Sequence, residues 1–484
     1  MVNSLKQNKD SKRKKEAIEF ARAAHKGQKR MSGEDFIVHP IAVMKILEEW
    51  GMDEDTVIAG VLHDTVEDTS VTISEIREKF GENVAFLVDG VTKMTKVRAG
   101  MRDLDTYLPE TRDNFLRLLI ATGADIRVLI IKLADRLNNM RTLAALPPST
   151  QKKIATETLE VFAPLAERLN MGRLRMELAD LAFSYTNPKR YKELRELIDE
   201  RVKKSKKKID KIEKEIGDLF KKEKIKYEIS GRIKSVYSLH KKLAKHNQNI
   251  NEIYDIVAMR IIVEDVTSCY LVLGILHSIY TPMNGRIKDY IAKPKQNGYQ
   301  SLHTTVITPD KDVVEFQIRT REMHEYAERG LAASFYYNEQ KLTESYLTGK
   351  IQHLPTNLLW ITELQEAAAK LKEGKKVDIR KLKINLFSDK IFVYTPKGDI
   401  IDLPVGAMPL DFAYRLHSEI GGRAVGVKIN GAMKSLNTPL KHGDIVEILT
   451  SKNQTPKESW LARLITPHAK QKLRQQLHQI EKKD

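Results

Sequence analysis

The spacing of apolar residues changes along this 484-residue chain, and that change limits the fold more than any other feature. From about residue 14 to 200, apolar residues recur three and four positions apart, which is the period of amphipathic helices. From about 227 to 338, and again over 386–451, segments rich in β-branched residues indicate strands. At roughly 100–200 residues per domain, about three domains are expected. The sequence therefore predicts a multidomain α+β protein.

The domain boundaries follow from the same pattern. We expect an all-α domain (1–188), a charged helical connector (189–226), an α/β domain (227–340), a second helical connector (341–385), a small β-rich domain (386–451) and a basic helical tail (452–484). The first connector is dense in charges of both signs and has few large apolar residues. It is therefore expected to be a long solvent-exposed helix that joins two domains.

The composition excludes several classes of protein. The chain has 82 Lys and Arg against 65 Asp and Glu, and the net charge of +17 favours polyanionic partners such as nucleotides and RNA. Its single cysteine, Cys269, excludes a disulfide framework and a cysteine-based zinc site within one chain. The sequence has no apolar run near the ~20 residues that span a bilayer, and its start does not resemble a signal peptide. We expect a cytoplasmic protein with no membrane association.

The segment VLHDTVEDT in the first domain indicates a metal site. On a continuous helix, His63 would lie one turn before Glu67, and Asp64 would lie one turn before Asp68. Two histidines and two aspartates from three parts of the chain form a set of nitrogen and oxygen ligands: His39, His63, Asp64 and Asp135. Such a set suits Mn²⁺, Fe²⁺, Zn²⁺ or Mg²⁺, and a bound metal would lower the pKa of water. The alternative is a solvent-exposed helix face that binds nothing.

A second set of residues lies in the α/β domain. The segment GRIKSVYSLHKKL concentrates cations that suit a triphosphate. Asp255 begins one predicted strand and Glu315 lies on the open face of another, so the two carboxylates could hold Mg²⁺ and deprotonate a ribose hydroxyl. Basic residues flank Tyr299, as phosphate contacts flank a base-stacking platform. The alternative is a basic sheet surface that binds RNA without specificity.

These motifs resemble those of the RelA/SpoT family, whose members make and degrade the alarmones (p)ppGpp. AHKGQKRMSGEDFIVHP, HDTVEDT and KLADRLNNMRTL resemble the family's HD-type hydrolase domain, with Asp35 and Asn138 as departures from its pattern. The resemblance implies that Mn²⁺ is bound and that a metal-activated water removes the 3′-diphosphate of (p)ppGpp. By position, the implied metal ligands are His39, His63, Asp64 and Asp135. Glu67 and Asp68 would position or activate the water, and Arg30 and Asn139 would hold the nucleotide.

The α/β domain resembles the family's synthetase domain, whose fold is related to nucleotidyltransferases. In that domain ATP donates its β,γ-diphosphate to the 3′-hydroxyl of GDP or GTP, which gives (p)ppGpp and AMP. By position, Asp255 would bind Mg²⁺, Glu315 would be the base, and Tyr299 would stack on guanine. The implied nucleotide contacts are Arg232, Lys234, Lys241 and Arg260 for ATP, and Lys293, Lys295 and His303 for the acceptor.

Residues 386–451 resemble a TGS domain, a small β-grasp module. The match extends over PLDFAYRLHSEIGGRAVGVKINGAMKSLNTPLKHGDIVEI and implies that His417 contacts an uncharged tRNA on the ribosome. Long members of the family continue into further regulatory domains, whereas this sequence ends about 30 residues after the unit. We therefore expect a short form, either natural or truncated.

The leading hypothesis is a bifunctional alarmone enzyme, because both sets of motifs are intact. Running both activities together would only consume ATP, so we expect the two active states to exclude each other. One alternative is a hydrolase whose second domain only senses nucleotides. The other is a non-enzymatic regulator that binds tRNA or the ribosome.

Overall fold

A computed structural model gives the fold of two compact units, Met1–Ala369 and Lys370–Asp484. The structure describes residues 2–100, 125–245, 257–295, 298–330, 390–396, 399–441, 443–451 and 453–481. The expected connector at 341–385 and the proposed ligand Asp255 lie outside the described residues.

The first unit begins with short helices that form an all-α region. They are α1 (Val2–Ala24), α2 (Val38–Glu49), α3 (Glu54–Leu62), α4 (Thr65–Asp68), α5 (Ile73–Phe80), α6 (Glu82–Gly100), α7 (Ile126–Arg141), α8 (Pro148–Glu157), α9 (Ala163–Arg168) and α10 (Gly172–Thr186). A π-helical turn, Thr158–Phe162, joins α8 to α9. Helices α3 and α7 are buried along almost their whole length, so they form the centre of this region.

Local side-chain chemistry determines where these helices begin. The Asp53 side chain accepts a hydrogen bond from Thr56 N at the start of α3, and Thr72 and Glu75 form a capping box at the start of α5. The expected continuous helix through VLHDTVEDT is wrong. Helix α3 ends at Leu62, where the Thr65 hydroxyl donates to the Leu62 carbonyl at 2.6 Å, and α4 is a separate turn.

The rest of the first unit is built on a sheet. Helix α11 (Pro188–Lys222) leads into β1 (Tyr227–Ile233), α12 (Val236–Lys245), β2 (Val257–Val263), α13 (Val266–Ile279), β3 (Thr281–Pro282), β4 (Lys288–Asp289), β5 (Leu302–Ile307), β6 (Val313–Thr320) and α14 (Arg321–Arg329). The strand order is β1-β2-β6-β5-β3, and β4 also pairs with β5. Strands β2 and β6 are parallel, whereas β1 and β5 are antiparallel to their neighbours.

The faces of this sheet follow from strand alternation. Met259, Ile261, Phe316 and Ile318 are buried in one hydrophobic core together with residues of α13. Because successive side chains point to opposite faces, the intervening residues of β2 and β6 lie on the other face. The polar residues Gln317 and Arg319 of that face are also buried.

Helix α11 is one long and largely solvent-exposed helix, as its charge suggests, but one face of it is buried. Ile212, Ile216 and Phe220 lie four residues apart and are buried in the core beneath the sheet. Leu194 and Ile198 are buried in a second cluster with residues of α12. A narrow apolar stripe, diluted by charged residues in the sequence, therefore packs α11 against the domain.

The second unit contains two small sheets and three helices among its described residues. The elements are β7 (Lys390–Tyr394), β8 (Ile400–Pro404), α15 (Pro409–Leu416), α16 (Ser418–Gly422), β9 (Ala424–Ile429), β10 (Ala432–Lys434), β11 (Val446–Thr450) and α17 (Pro467–Glu481). Strands β7 and β8 pair, and β9 lies between β10 and β11. At the β9–β10 turn, Asn430 and Gly431 have φ of 52° and 80°, as an Asn-Gly hairpin requires.

The expected tail is part of this unit's core. Trp460, Leu464 and Leu473 are buried against Leu410 and Tyr414 of α15. Nowhere in the described parts of the chain is a helix both long enough and apolar enough to cross a bilayer.

Candidate functional site

The four proposed metal ligands converge in the helical region. His39 Nε2 lies 3.4 Å from an Asp64 oxygen and 3.3 Å from an Asp135 oxygen, and His63 Nε2 lies 3.0 Å from the other Asp64 oxygen. His39 is on α2, His63 and Asp64 lie at the break between α3 and α4, and Asp135 is on α7. One ligand atom each from His39, His63 and Asp135 lies within 4.8 Å of the others.

The donor set fits a divalent cation. His63 Nδ1 lies 2.8 Å from the Gly60 carbonyl, which can only accept, so Nδ1 carries the proton and Nε2 has a free lone pair. This Nε2 is buried and makes no hydrogen bond with any residue that the structure describes. Burial lowers the pKa of His63 and so favours the neutral ring that a metal requires.

The pKa of His39 is shifted upward, opposite to that of His63, by the carboxylates of Asp64 and Asp135. Burial alone would lower the pKa of His39, but hydrogen bonds with Asp135 and Asp64 raise it to about 9. A positive charge thus belongs at this position, supplied either by a proton or by a cation.

Other side chains orient the ligands. Lys132 Nζ donates to one oxygen of Asp135 at 2.6 Å, and Asn139 Nδ2 donates to the other at 2.5 Å. The side-chain amide of Asn138 lies 2.6 Å from His39 Nδ1. Lys132 is not among the residues predicted from the motifs, although its position one helical turn before Asp135 places the two on the same face of α7.

A cavity of about 360 Å³ is lined by Asn139, which donates to the ligand Asp135. Arg30 and Asn139 line it, and Arg30 donates to Asn139 Oδ1 at 3.5 Å and to Thr142 Oγ1 at 3.1 Å. Arg136, another lining residue, lies over the Phe162 ring of the π-helical turn, 4.0 Å from its centroid. Asn139 therefore links the cavity to the ligand Asp135.

The proposed water-positioning residues lie on the short helix α4. Glu67 is half-buried and Asp68 is exposed. Partial burial and the nearby carboxylate of Asp64 raise the pKa of Asp68. The main-chain carbonyl of Asp68 accepts from Gln28 at 2.7 Å, which ties α4 to the AHKGQKR segment.

His25 is a neighbouring residue that the sequence analysis missed. Its ring is buried, stacks on Phe36 with centroids 4.6 Å apart, and its Nδ1 lies 2.8 Å from Gln28 Oε1. Its buried Nε2 makes no hydrogen bond with any described residue. Its place in the same motif as Arg30 is the signal that could have identified it.

In the sheet domain, five side chains form a continuous chain of contacts across the open face. Tyr299 OH lies 2.9 Å from His303 Nε2, and His303 Nδ1 lies 3.6 Å from Glu315 Oε1. Gln317 Nε2 donates to the same Glu315 oxygen at 3.1 Å, and Arg232 donates to Gln317 Oε1 at 2.6 Å. Burial lowers the pKa of His303, although Glu315 opposes this shift. A neutral histidine therefore lies between the tyrosine and the carboxylate.

Lys295 lies over two aromatic rings at one end of this chain. Its Nζ is 4.6 Å from the Tyr290 centroid and 4.8 Å from the Tyr299 centroid. Both contacts are within cation–π range, so the ammonium group is held beside the ring of Tyr299.

A cluster of cations lies further along the same face. Glu328 Oε1 on α14 is 3.2 Å from Arg260 Nη2 and 3.1 Å from Arg319 Nη2. The Nε atoms of both arginines are buried and make no hydrogen bond with the residues that the structure describes. Burial and Arg319 lower the pKa of His324 to about 4, so this histidine adds no charge near neutral pH. Two guanidinium groups thus share one carboxylate, which leaves positive charge for an anion.

Strand alternation from Glu315 is the signal that could have identified Gln317 and Arg319 as site residues. Glu328 comes from a different element, α14, and no pattern within β6 points to it.

Four further predicted residues lie on other segments of the chain. Lys241 on α12 lies over the Tyr237 ring, with 5.1 Å between Nζ and the centroid. Lys234 follows β1 and Lys293 lies between β4 and β5, and both are described. His417 belongs to the second unit, where it is exposed and its Nδ1 accepts from Glu419 N at 3.3 Å at the start of α16.

Comparisons with known proteins identify the family. An HD domain matches residues 17–172, the region found in RelA and SpoT proteins matches 231–342, and a TGS domain matches 391–450. The GTP pyrophosphokinase of Myxococcus xanthus is 43% identical over 460 residues. The chain belongs to the RelA/SpoT family. The predicted resemblance and fold class are both confirmed.

Two further relatives agree with this assignment. The guanosine-3′,5′-bis(diphosphate) 3′-pyrophosphohydrolase of Aquifex aeolicus is 43% identical over 471 residues. The bifunctional (p)ppGpp synthase/hydrolase SpoT of Escherichia coli K12 is 42% identical over 473 residues. The three matches cover 95%, 96% and 98% of this chain but 59%, 64% and 66% of the relatives, in the order given. The chain thus spans about three fifths of the length of these curated relatives.

Solved structures also match parts of the chain. The small alarmone synthetase 2 of Bacillus subtilis is 26% identical, covers 36% of this chain and 92% of its own, and has a TM-score of 0.25. A metazoan orthologue of SpoT that hydrolyses ppGpp is 31% identical, covers 27% of this chain and 70% of its own, and has a TM-score of 0.22. The HD match and the His/Asp cluster together indicate a site for a divalent metal.

Proposed function

We propose that this chain is a bifunctional alarmone enzyme that both makes and degrades (p)ppGpp. The observation that carries the proposal is that the first unit contains two separate clusters of polar side chains. One is a His/Asp cluster beside a cavity, and the other is a carboxylate held between a histidine, an amide and a row of cations. The family relatives named as synthetases and as hydrolases support both activities.

For the hydrolase, we propose His39, His63, Asp64 and Asp135 as ligands of Mn²⁺. When bound, such a cation lowers the pKa of a water molecule and supplies a nucleophile near neutral pH. Glu67 and Asp68 hold that water, and Arg30 and Asn139 hold the nucleotide in the adjoining cavity. Water attacks the 3′-diphosphate, the bond to the ribose 3′-oxygen breaks, and GDP or GTP leaves with pyrophosphate as the second product.

For the synthetase, Glu315 is the proposed base. It takes the proton of the 3′-hydroxyl of GDP or GTP, and the 3′-oxygen forms a bond to the β-phosphorus of ATP while AMP leaves. The 3.6 Å contact with His303 and the hydrogen bond from Gln317 orient the Glu315 carboxylate. Tyr299 offers a ring for guanine to stack on, and such stacking contributes about 1–3 kcal/mol per base.

The phosphates of both substrates require positive charge. For the acceptor we propose the cations Lys293 and Lys295, with neutral His303 as a hydrogen-bonding contact, and for ATP we propose Arg232, Lys234, Lys241 and Arg260. Asp255 is proposed to hold Mg²⁺. The assignment of Arg260 to ATP is supported by its contact with Glu328. Arg260 and Arg319 share that one carboxylate, so the two guanidinium groups keep a net positive charge.

We further propose that the two activities exclude each other. Helix α10 of the helical region contacts the sheet domain directly, since Asp180 accepts from Val236 N at 3.0 Å and from Tyr237 N at 2.9 Å. Just before α10, Asn170 donates to the Tyr326 carbonyl on α14 at 3.0 Å. A shift of α10 would therefore move elements that carry proposed ATP contacts.

For the second unit we propose contact with uncharged tRNA, and with the ribosome, through the surface around His417. The support is the TGS match, the exposure of His417 and the net charge of +17 of the chain.

The test uses two variants that should separate the activities. Wild type, Asp135→Asn and Glu315→Gln are each incubated with ATP, GDP and Mg²⁺, and separately with ppGpp and Mn²⁺, and products are resolved by ion exchange. We expect Asp135→Asn to lose only ppGpp hydrolysis and Glu315→Gln to lose only ppGpp and AMP formation. Synthesis that survives in Glu315→Gln would refute the assigned base. Turnover by wild type in neither reaction, together with salt-dependent tRNA binding, would favour the non-enzymatic alternative.

A further inference from the structure

The two histidines of the metal cluster have different partners at Nδ1. His63 Nδ1 faces the main-chain carbonyl of Gly60 at 2.8 Å, and a carbonyl can only accept. His39 Nδ1 faces the side-chain amide of Asn138 at 2.6 Å. His39 is only 4% exposed and Asn138 7%, so water does not substitute readily for either partner.

The amide of Asn138 can serve either tautomer of His39. A histidine that binds a metal through Nε2 keeps its proton on Nδ1, which then needs an acceptor. An amide has a donor end, Nδ2, and an acceptor end, Oδ1, and half a turn of the amide exchanges them. Nε2 of the same ring faces Asp64 and Asp135 oxygens at 3.4 and 3.3 Å, so a proton held on Nδ1 leaves Nε2 available to a cation.

We propose that Asn138 is a positioning residue for the metal, whose amide oxygen accepts the Nδ1 proton of His39 and thereby holds Nε2 of His39 toward the metal position. This inference rests on the metal site of the proposed hydrolase and adds a residue that controls metal affinity.

Substitution at Asn138 should leave the helix intact. The main-chain carbonyl of Asn138 accepts from both Thr142 N and Thr142 Oγ1, and neither bond depends on the Asn138 side chain. Two near-isosteric replacements then isolate the hydrogen bond. Asn138→Leu removes it, whereas Asn138→Asp offers only acceptor oxygens.

The first measurement is Mn²⁺ affinity without nucleotide, from the electron paramagnetic resonance signal of free Mn²⁺. Loss of an outer partner of a metal ligand typically weakens binding by about 10–100-fold, and we expect that loss for Asn138→Leu. Asn138→Asp should bind Mn²⁺ at least as tightly as wild type. If the Asn138 side chain only filled space, Asn138→Leu would bind Mn²⁺ more tightly than Asn138→Asp, because a buried Leu packs well and a buried Asp does not.

The second measurement follows the proton itself. In the Zn²⁺-loaded, ¹⁵N-histidine-labelled protein, we expect slowly exchanging Nδ1–H signals from both His39 and His63. Asn138→Leu should lose one signal and keep the other, because the bond from His63 to Gly60 is untouched. The retained signal also reports that the variant is folded, so the Leu variant decides the question even if the Asp variant does not fold.

The outcomes separate this proposal from the proposed function. Wild-type affinity and both Nδ1–H signals in Asn138→Leu would overturn the role of Asn138 and leave the hydrolase proposal standing. Failure of wild type to bind Mn²⁺ would overturn both.

Discussion

Glu328 carries the negative charge that two guanidinium groups of the sheet face share. Its Oε1 lies 3.2 Å from Arg260 Nη2 and 3.1 Å from Arg319 Nη2, and the Arg319 side chain is only 2% exposed. Glu328→Gln keeps the shape of the side chain and one acceptor oxygen, but it removes the charge. Two largely buried cations would then face each other without the carboxylate that contacts both.

The expected cost is about 2 kcal/mol. Removing one member of a fully buried ion pair costs about 3–5 kcal/mol. The Glu328 side chain is 23% exposed, and glutamine still accepts a hydrogen bond. The loss should therefore be nearer the ~1.5–3 kcal/mol of a hydrogen bond to a charged group.

The same interaction depends on pH. Burial alone would raise the pKa of Glu328, but Arg260 and Arg319 lower it below the ordinary value. A carboxyl group whose pKa is lower in the folded state stabilises the fold fully above its unfolded pKa of about 4.3. That stabilisation is lost as the pH falls through the folded pKa. The difference between wild type and Glu328→Gln should therefore be present at neutral pH and shrink in acid.

Hydrogen exchange is the suitable assay, because a chain with several domains need not unfold in one step. The opening free energy of amides in β2 and β6 is measured by mass spectrometry in wild type, Glu328→Gln, Arg260→Met and the double variant. We expect the double variant to recover part of the loss, since it keeps only one of the two cations. Unchanged exchange in β2 and β6 of Glu328→Gln, or strictly additive losses in the double variant, would refute the reasoning.

Three further changes test other contacts. Tyr299→Ala should raise the KM for GDP by about 5–150-fold, which corresponds to the roughly 1–3 kcal/mol of one base stack, while Tyr299→Phe should not; a wild-type KM for Tyr299→Ala in steady-state assays would exclude stacking. Asp180→Ala leaves Val236 N and Tyr237 N without their acceptor. It should lower the opening free energy of the α12 amides by about 1 kcal/mol in hydrogen exchange, and Asp180→Asn is the milder control. Buried Asp411 accepts from Ile465 N and Thr466 N, so Asp411→Ala should expose α17 to proteolysis; an unchanged cleavage pattern would argue against that contact.

Much of the molecule could be predicted from local patterns. Strand alternation in DVVEFQIRT correctly separates buried Phe316 and Ile318 from the face that carries Glu315. Such predictions succeed because the two-residue period of a strand is a property of the backbone itself. The resemblance of short motifs identified His39, His63, Asp64 and Asp135 as one set, and the structure brings these four side chains together.

Tertiary structure decided what local patterns could not. The charged sequence of α11 indicates a solvent-exposed helix, yet Phe220 is fully buried because the sheet covers one narrow stripe of the helix.

Partnership between distant side chains is the clearest case. By itself, the sequence determined the helical and strand segments, the family and the set of ligand types, because each is encoded in neighbouring residues. It did not pair Glu328 with Arg260, or Asn138 with His39, which are 99 residues apart along the chain. Those pairs depend on how whole helices and strands pack, and packing is decided by the summed burial of many side chains rather than by any short segment.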